Sequence, residues 1–126
     1  MNQPFELRKR IKSFDYAFKG IWTLLQSQHN AWIHAVATIL VTFTSFALHI
    51  TAQDWCWIII AIISVWTAEG FNTSLEFLSD ATTKELHPLI GKAKDVAAGA
   101  VLITAIGAAI IGILVLGPPL QAFLQK

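Results

Sequence analysis

Residues 55–80 read WCWIIIAIISVWTAEGFNTSLEFLSD, and how far this stretch continues as one helix decides the fold. Its first 14 residues, Trp55 to Ala68, lie between Asp54 and Glu69 and carry no charge. At about 1.5 Å of rise per residue they cover only about 21 Å, too little for a hydrocarbon core of roughly 30 Å. A span here must therefore continue as helix beyond Glu69, and no proline stops it before Pro88 in DATTKELHPL. The expectation is a membrane helix over about residues 54–82 whose second half carries Glu69, Asn72, Glu76 and Asp80.

At about 100° per residue those four positions share an arc of roughly 80° along about 16 Å of helix. Asp80 and Glu76 are explained in part as the solvated end of a helix leaving the membrane. Glu69 is not, because an ionisable group at membrane depth costs a few kcal/mol and marks a functional candidate.

The rest of the chain agrees with a small membrane protein. It has 126 residues, 55% hydrophobic and 13% charged, with a net charge of +1 and a positive mean hydropathy. That balance is too apolar for an ordinary soluble domain and carries no general signal for nucleic acid, so no nucleic-acid partner is expected. AWIHAVATILVTFTSFALHI, residues 31–50, and VAAGAVLITAIGAAIIGILVLG, residues 96–117, are each long and apolar enough to cross. With their flanks, the three spans are placed at about 30–50, 54–82 and 88–117, within one domain covering 1–126.

Ahead of them, in residues 1–28, Ile11, Phe14, Phe18, Ile21, Trp22 and Leu25 recur at helical spacing opposite Lys9, Lys12 and Lys19. This pattern predicts an amphipathic helix lying on the membrane surface, with a helix covering other protein helices as the alternative. Because a basic amphipathic segment precedes the first apolar run, no cleaved secretory signal is expected. Arg8, Lys9, Arg10, Lys12 and Lys19 precede the first span, Lys84, Lys92 and Lys94 separate the second from the third, and Lys126 alone falls on the other side. The positive-inside rule then places the N-terminus in the cytoplasm and the C-terminus outside. Alanine and glycine recur through the third span, among them Gly99, Gly107 and Gly112, and such residues let helix backbones approach closely in lipid.

Two chemistries fit the carboxylate face. Glu69 can serve as a general base while Glu76 binds a hard cation such as Mg²⁺, which suggests phosphoryl transfer to a hydroxyl. Alternatively, Glu69 exchanges protons in a small coupled transporter, which needs no metal. Lys94 and Asp95, at the cytoplasmic start of the third span, suit a phosphate and another polar ligand group. There is no GxxxxGK[ST] or GxGxxG stretch, so a nucleotide site would not be of a common soluble type. Cys56 is the only cysteine, which excludes an intramolecular disulfide. His29, His34 and His49 are read as structural, since a spacing of five does not align the first two on one helix turn.

EGFNTSLEFLSD resembles the E-x-x-N-[ST]-[SA]-x-E-x-x-x-D signature of the prokaryotic diacylglycerol kinase and undecaprenol kinase family. HPLIGKAKDVAAGAVL, SFDYAFKGI and NAWIH fit the same family, so the resemblance runs from about residue 13 to residue 115. It implies an all-α membrane protein, homotrimeric, in the bacterial cytoplasmic (inner) membrane. Its implied activity moves the γ-phosphate of Mg-ATP onto the hydroxyl of a membrane lipid at the cytoplasmic face.

By position, the resemblance makes Glu69 the catalytic base, Asn72 a positioning group and Glu76 a metal ligand. Lys94 and Asp95 fall in the nucleotide site, with Tyr16, Glu85 and His87 as further ATP contacts, and Ala98 joins Glu69 at the lipid acceptor. One departure stands out. Where the family has a second metal-binding glutamate, this chain has Gln28, and Trp32 replaces a typical arginine. An amide offers a carbonyl oxygen without charge, so weaker Mg²⁺ binding, or a catalytically weakened member, is expected. NAWIH and HPL lean toward undecaprenol as acceptor, with diacylglycerol left open.

Overall fold

The computed structural model describes residues 7–82 and 87–125. Four helices follow in order: α1 (Leu7–Ser27), α2 (His29–Ala47), α3 (Ala52–Thr82) and α4 (Pro88–Leu124). The last three are long and apolar enough to cross a membrane.

The apolar face of α1 is left open rather than packed on other helices. Phe14 and Phe18 are 66% and 69% exposed, and among the residues of this helix whose burial is described only Leu24 is buried. An apolar stripe of this kind with lysines opposite suits the boundary of a bilayer. The single residue between α1 and α2 is Gln28, whose extended backbone (φ −123°, ψ 123°) ends one helix and starts the next.

At the far end of α2 the chain reverses within four residues. His49 sits in the left-handed region at φ 52°, and the amide of Ile50 reaches back to the Ser45 carbonyl at 3.3 Å, the pattern that closes a helix C-terminus. Thr51 and Asp54 then cap α3 reciprocally. The threonine hydroxyl donates to Asp54 Oδ2 at 2.8 Å, and the Asp54 amide donates to Thr51 Oγ1 at 3.2 Å.

Helix α3 runs unbroken through Glu69 to Thr82. Its buried residues, Ile58, Ala61, Val65, Glu69, Asn72 and Thr73, recur every three or four positions and form one stripe. Helix α4 packs along much of α3, burying Ala97 and Val101. The glycines of α4 are not what permits this approach: a Cβ at Gly99, Gly107 or Gly112 would meet nothing within 4 Å. Alanine brings the helices together, while the glycines face open space.

Helix α4 also exceeds its expected end at 117, continuing to Leu124 with Pro118 and Pro119 inside it. The prolines remove two donors from the ladder, and the turn holds because their fixed φ remains compatible with helix. At the other end Pro88 occupies the first turn, where its missing N–H costs nothing.

Helix α2 is tied to α3 by an indole bond, Trp66 Nε1 donating to Thr38 Oγ1 at 3.0 Å, and by Phe46 against Trp55 with ring centroids 4.7 Å apart. Cross-helix hydrogen bonds in membranes average roughly 0.6 kcal/mol and reach about 1.7. Trp66→Phe is therefore expected to lower unfolding stability by an amount in that range, read from denaturation in mixed micelles.

Candidate functional site

The C-terminal half of α3 turns four polar side chains toward its neighbours. Glu69 is fully buried, Thr73 is 4% exposed and Asn72 6%, while Glu76 is half-buried and Asp80 exposed. The expected face is thus graded, from a carboxylate enclosed by protein to one in water.

Glu69 lies under α2. Its Oε2 is 3.7 Å from Nε2 of His34, which is 15% exposed, and the His34 ring meets Trp66 edge-on at 6.5 Å between centroids. The separation is too long for a hydrogen bond, and among the described residues neither carboxylate oxygen of Glu69 has a hydrogen-bond partner. A buried carboxylate with both oxygens unpartnered is costly to maintain and ready to accept a proton from a bound group. His34, read from sequence as structural, is the side chain that shapes this end of the site.

Two turns further along α3, Glu76 is held by two amides. Gln28 Nε2 donates to its Oε2 at 2.7 Å and Asn72 Nδ2 to its Oε1 at 3.2 Å. Gln28, where a metal-binding carbonyl was expected, turns its amide nitrogen to the site. The bond also explains why Gln28 does not cap α2 with its side chain. The carbonyl Oδ1 of Asn72 is buried without a partner, as is Oγ1 of Thr73. Two neutral donors fix the carboxylate and leave it lone pairs for another ligand.

The remaining expected residues are more dispersed. Lys94 Nζ pairs with Asp80 Oδ1 at 3.2 Å, which joins the starts of the expected phosphate site on α4 to the end of α3. Asp95 and Ala98 are exposed on α4. Tyr16 is exposed on α1, with Lys19 Nζ 5.8 Å from its ring centroid. His87 caps α4, its Nδ1 accepting from the Leu89 amide at 3.3 Å, which gives it a structural task besides the expected ATP contact. Glu85 lies outside the described residues. The structure therefore brings together Gln28, Glu69, Asn72 and Glu76, and it adds His34 and Thr73. Thr73 was within reach of sequence reasoning, since i to i+4 spacing puts it one turn from Glu69 on the same face. His34 was not, because its place depends on how α2 docks.

Among the described residues no three His, Cys, Asp or Glu side chains converge as a metal cage. The site offers one half-buried carboxylate and amide oxygens. Such a donor set suits a hard cation that keeps water and brings phosphate oxygens of its own.

The prokaryotic diacylglycerol kinase family matches residues 15–116. The chain is 36% identical over 115 residues to the undecaprenol kinase of Bacillus subtilis, covering 91% of this chain and 94% of that one. It is also 36% identical over 115 residues to a diacylglycerol kinase of Synechocystis, covering 90% of this chain and 66% of the relative. The diacylglycerol kinase of Escherichia coli is 31% identical over 107 residues, covering 79% of this chain and 82% of that one.

Proposed function

Given that the chain belongs to the prokaryotic diacylglycerol kinase family and is thereby a lipid kinase, we propose that it transfers the γ-phosphate of Mg-ATP to a membrane lipid alcohol, undecaprenol before diacylglycerol, with Glu69 as general base. The observation that carries the site assignment is the fully buried Glu69, both oxygens unpartnered, beside a Glu76 already held by two amide donors. Undecaprenol is favoured because the relative spanned almost end to end, at 94% of its length, is an undecaprenol kinase. A proton-coupled transporter has no comparable support.

In the reaction the acceptor hydroxyl gives its proton to a Glu69 carboxylate oxygen while its oxygen forms a bond to the γ-phosphorus. The bond from that phosphorus to the β,γ-bridging oxygen breaks, and ADP leaves with the electron pair. The site's oxygen donors fit Mg²⁺: Glu76 would hold it, with the unpartnered Asn72 Oδ1 within the same cluster. Bound there, the cation would neutralise charge on the β- and γ-phosphates. Gln28 and Asn72 keep Glu76 aimed, so its carboxylate need not reorganise when nucleotide arrives.

Lys94 suits a phosphate oxygen, and its present partner Asp80 is 72% exposed, a pair too solvated to bind the lysine tightly. Lys94→Met is expected to raise the KM for ATP by roughly 10- to 100-fold, the scale of one charged hydrogen bond, with little change in thermal unfolding. Tyr16, His87, Glu85 and Asp95 are retained as nucleotide contacts, and Ala98 with Glu69 as the acceptor contact, on the strength of the family motifs alone. The homotrimer is likewise proposed, supported by the unoccupied glycine surface of α4. So is a bacterial cytoplasmic (inner) membrane location with the N-terminus inside, supported by the distribution of lysine and arginine.

Purified protein with labelled ATP, Mg²⁺ and a panel of undecaprenol, diacylglycerol and related lipid alcohols tests the reading. Label in at least one lipid is the expected result. A panel without label overturns it, and label confined to diacylglycerol corrects the acceptor.

A further inference from the structure

Most hydroxyls on these helices satisfy themselves in one way. Ser45, Ser64, Ser74, Ser79 and Thr82 each donate to the carbonyl four residues back, at 2.6 to 2.8 Å. Thr73 does not. It is 4% exposed, and its Oγ1 has no hydrogen-bond partner among the described residues. A hydroxyl withheld from both water and backbone is costly, and each such group in a native structure calls for an explanation.

The place of Thr73 supplies one. It lines a groove of about 510 Å³ between α1 and α3. Leu24, Trp66 and Phe77 give the groove apolar walls, and Gly20 and Gly70 leave it open, since a Cβ at either would meet nothing within 4 Å. Glu69 is one helical turn from Thr73, so their Cβ atoms are about 5–6 Å apart. An apolar groove beside the surface helix, with Thr73 in its wall and a buried proton acceptor one turn away along α3, matches an apolar chain that carries a terminal alcohol.

We propose that Thr73 is the residue that binds the lipid's hydroxyl, its Oγ1–H donating to the acceptor oxygen while the acceptor O–H points at Glu69. Thr73 keeps its own proton throughout, and the acceptor's proton goes to Glu69 as the O–P bond forms. The inference rests on the lipid-kinase reading and deepens it by naming the group that selects and orients an alcohol. It also accounts for the vacant hydrogen bond: the hydroxyl is unpaired until the acceptor arrives.

The test compares wild type, Thr73→Val and Thr73→Ser in mixed micelles, with undecaprenol and diacylglycerol each varied at saturating Mg-ATP. Valine keeps the shape and removes the donor, whereas serine keeps the donor. Expected for Thr73→Val is an acceptor KM raised roughly five- to tenfold, the scale of one neutral hydrogen bond. The KM for ATP is unchanged and the unfolding midpoint is equal or higher, because an unsatisfied buried hydroxyl has gone. Thr73→Ser restores the acceptor KM. An unchanged acceptor KM in Thr73→Val overturns the inference, as does an equal rise in both KM values. A lowered midpoint or altered oligomeric mass also overturns it, assigning the hydroxyl to packing or to a contact with a second copy. A wild type that labels no lipid overturns the kinase reading along with this one, whereas a labelling wild type with an indifferent valine variant overturns this one alone.

Discussion

Glu69→Gln is expected to reduce lipid phosphorylation by roughly 100- to 10,000-fold, the range over which a positioned general base contributes, while leaving the affinity for ATP within about twofold. Glutamine has nearly the volume of glutamate and fills the same fully buried space, so the packing between α2 and α3 has no reason to change. What it lacks is an oxygen able to take the acceptor's proton. Stability moves the other way from activity: the native carboxylate is buried with neither oxygen hydrogen-bonded, and replacing it with a neutral group relieves that desolvation. The unfolding midpoint of Glu69→Gln should therefore equal or exceed that of wild type. Single-turnover transfer, ATP binding and thermal unfolding together check the assignment. A variant with undiminished turnover would remove Glu69 from proton transfer, and a lower midpoint would show that the charge holds α2 and α3 together through His34, 3.7 Å away.

The course of α3 through Glu69 was legible in the sequence because the arithmetic left no choice: the apolar residues before it are too few to span a bilayer. The graded face of Glu69, Asn72, Glu76 and Asp80 follows from helical periodicity alone. Features that depend on the docking of separate helices were not legible. His34 precedes Glu69 by thirty-five positions and meets it through the docking of α2 on α3, where Thr38 takes the Trp66 indole bond and Phe46 packs on Trp55. Gln28 could be read as a departure from a family pattern, yet which end of its amide faces Glu76 depends on the fold. Helix α4 runs beyond the span expected at about 88–117: two adjacent prolines normally argue against helix, yet here the helix continues through them to Leu124. The glycines of α4 suggested a packing surface, but the sequence does not say which helix would use it, and within the chain none packs on Gly99, Gly107 or Gly112.

Gln28→Glu should make both activity and stability depend more steeply on Mg²⁺. In the present chain the Gln28 amide donates to Glu76 at 2.7 Å, so the two side chains attract each other with no cation between them. A glutamate at position 28 would place a second carboxylate at that same contact, where two ionised carboxylates repel unless a proton or a cation lies between. Without Mg²⁺ the variant is expected to unfold at a lower temperature than wild type, because the repulsion falls on the one residue that joins α1 to α2. With Mg²⁺ the added charge becomes an added ligand, and the concentration for half-maximal activity should fall on the order of tenfold, since affinity for hard cations follows the number of charged oxygen ligands. Wild type, whose Glu76 is already satisfied by neutral amides, should show little change in unfolding across the same Mg²⁺ range. The crossing of the two unfolding curves is the diagnostic result, because it is read without turnover and links the cation to this pair of residues through the stability it confers. If the variant matches wild type in both unfolding and Mg²⁺ dependence, Gln28 lies outside the metal site and its bond to Glu76 serves only to fasten α1 and α2 onto α3.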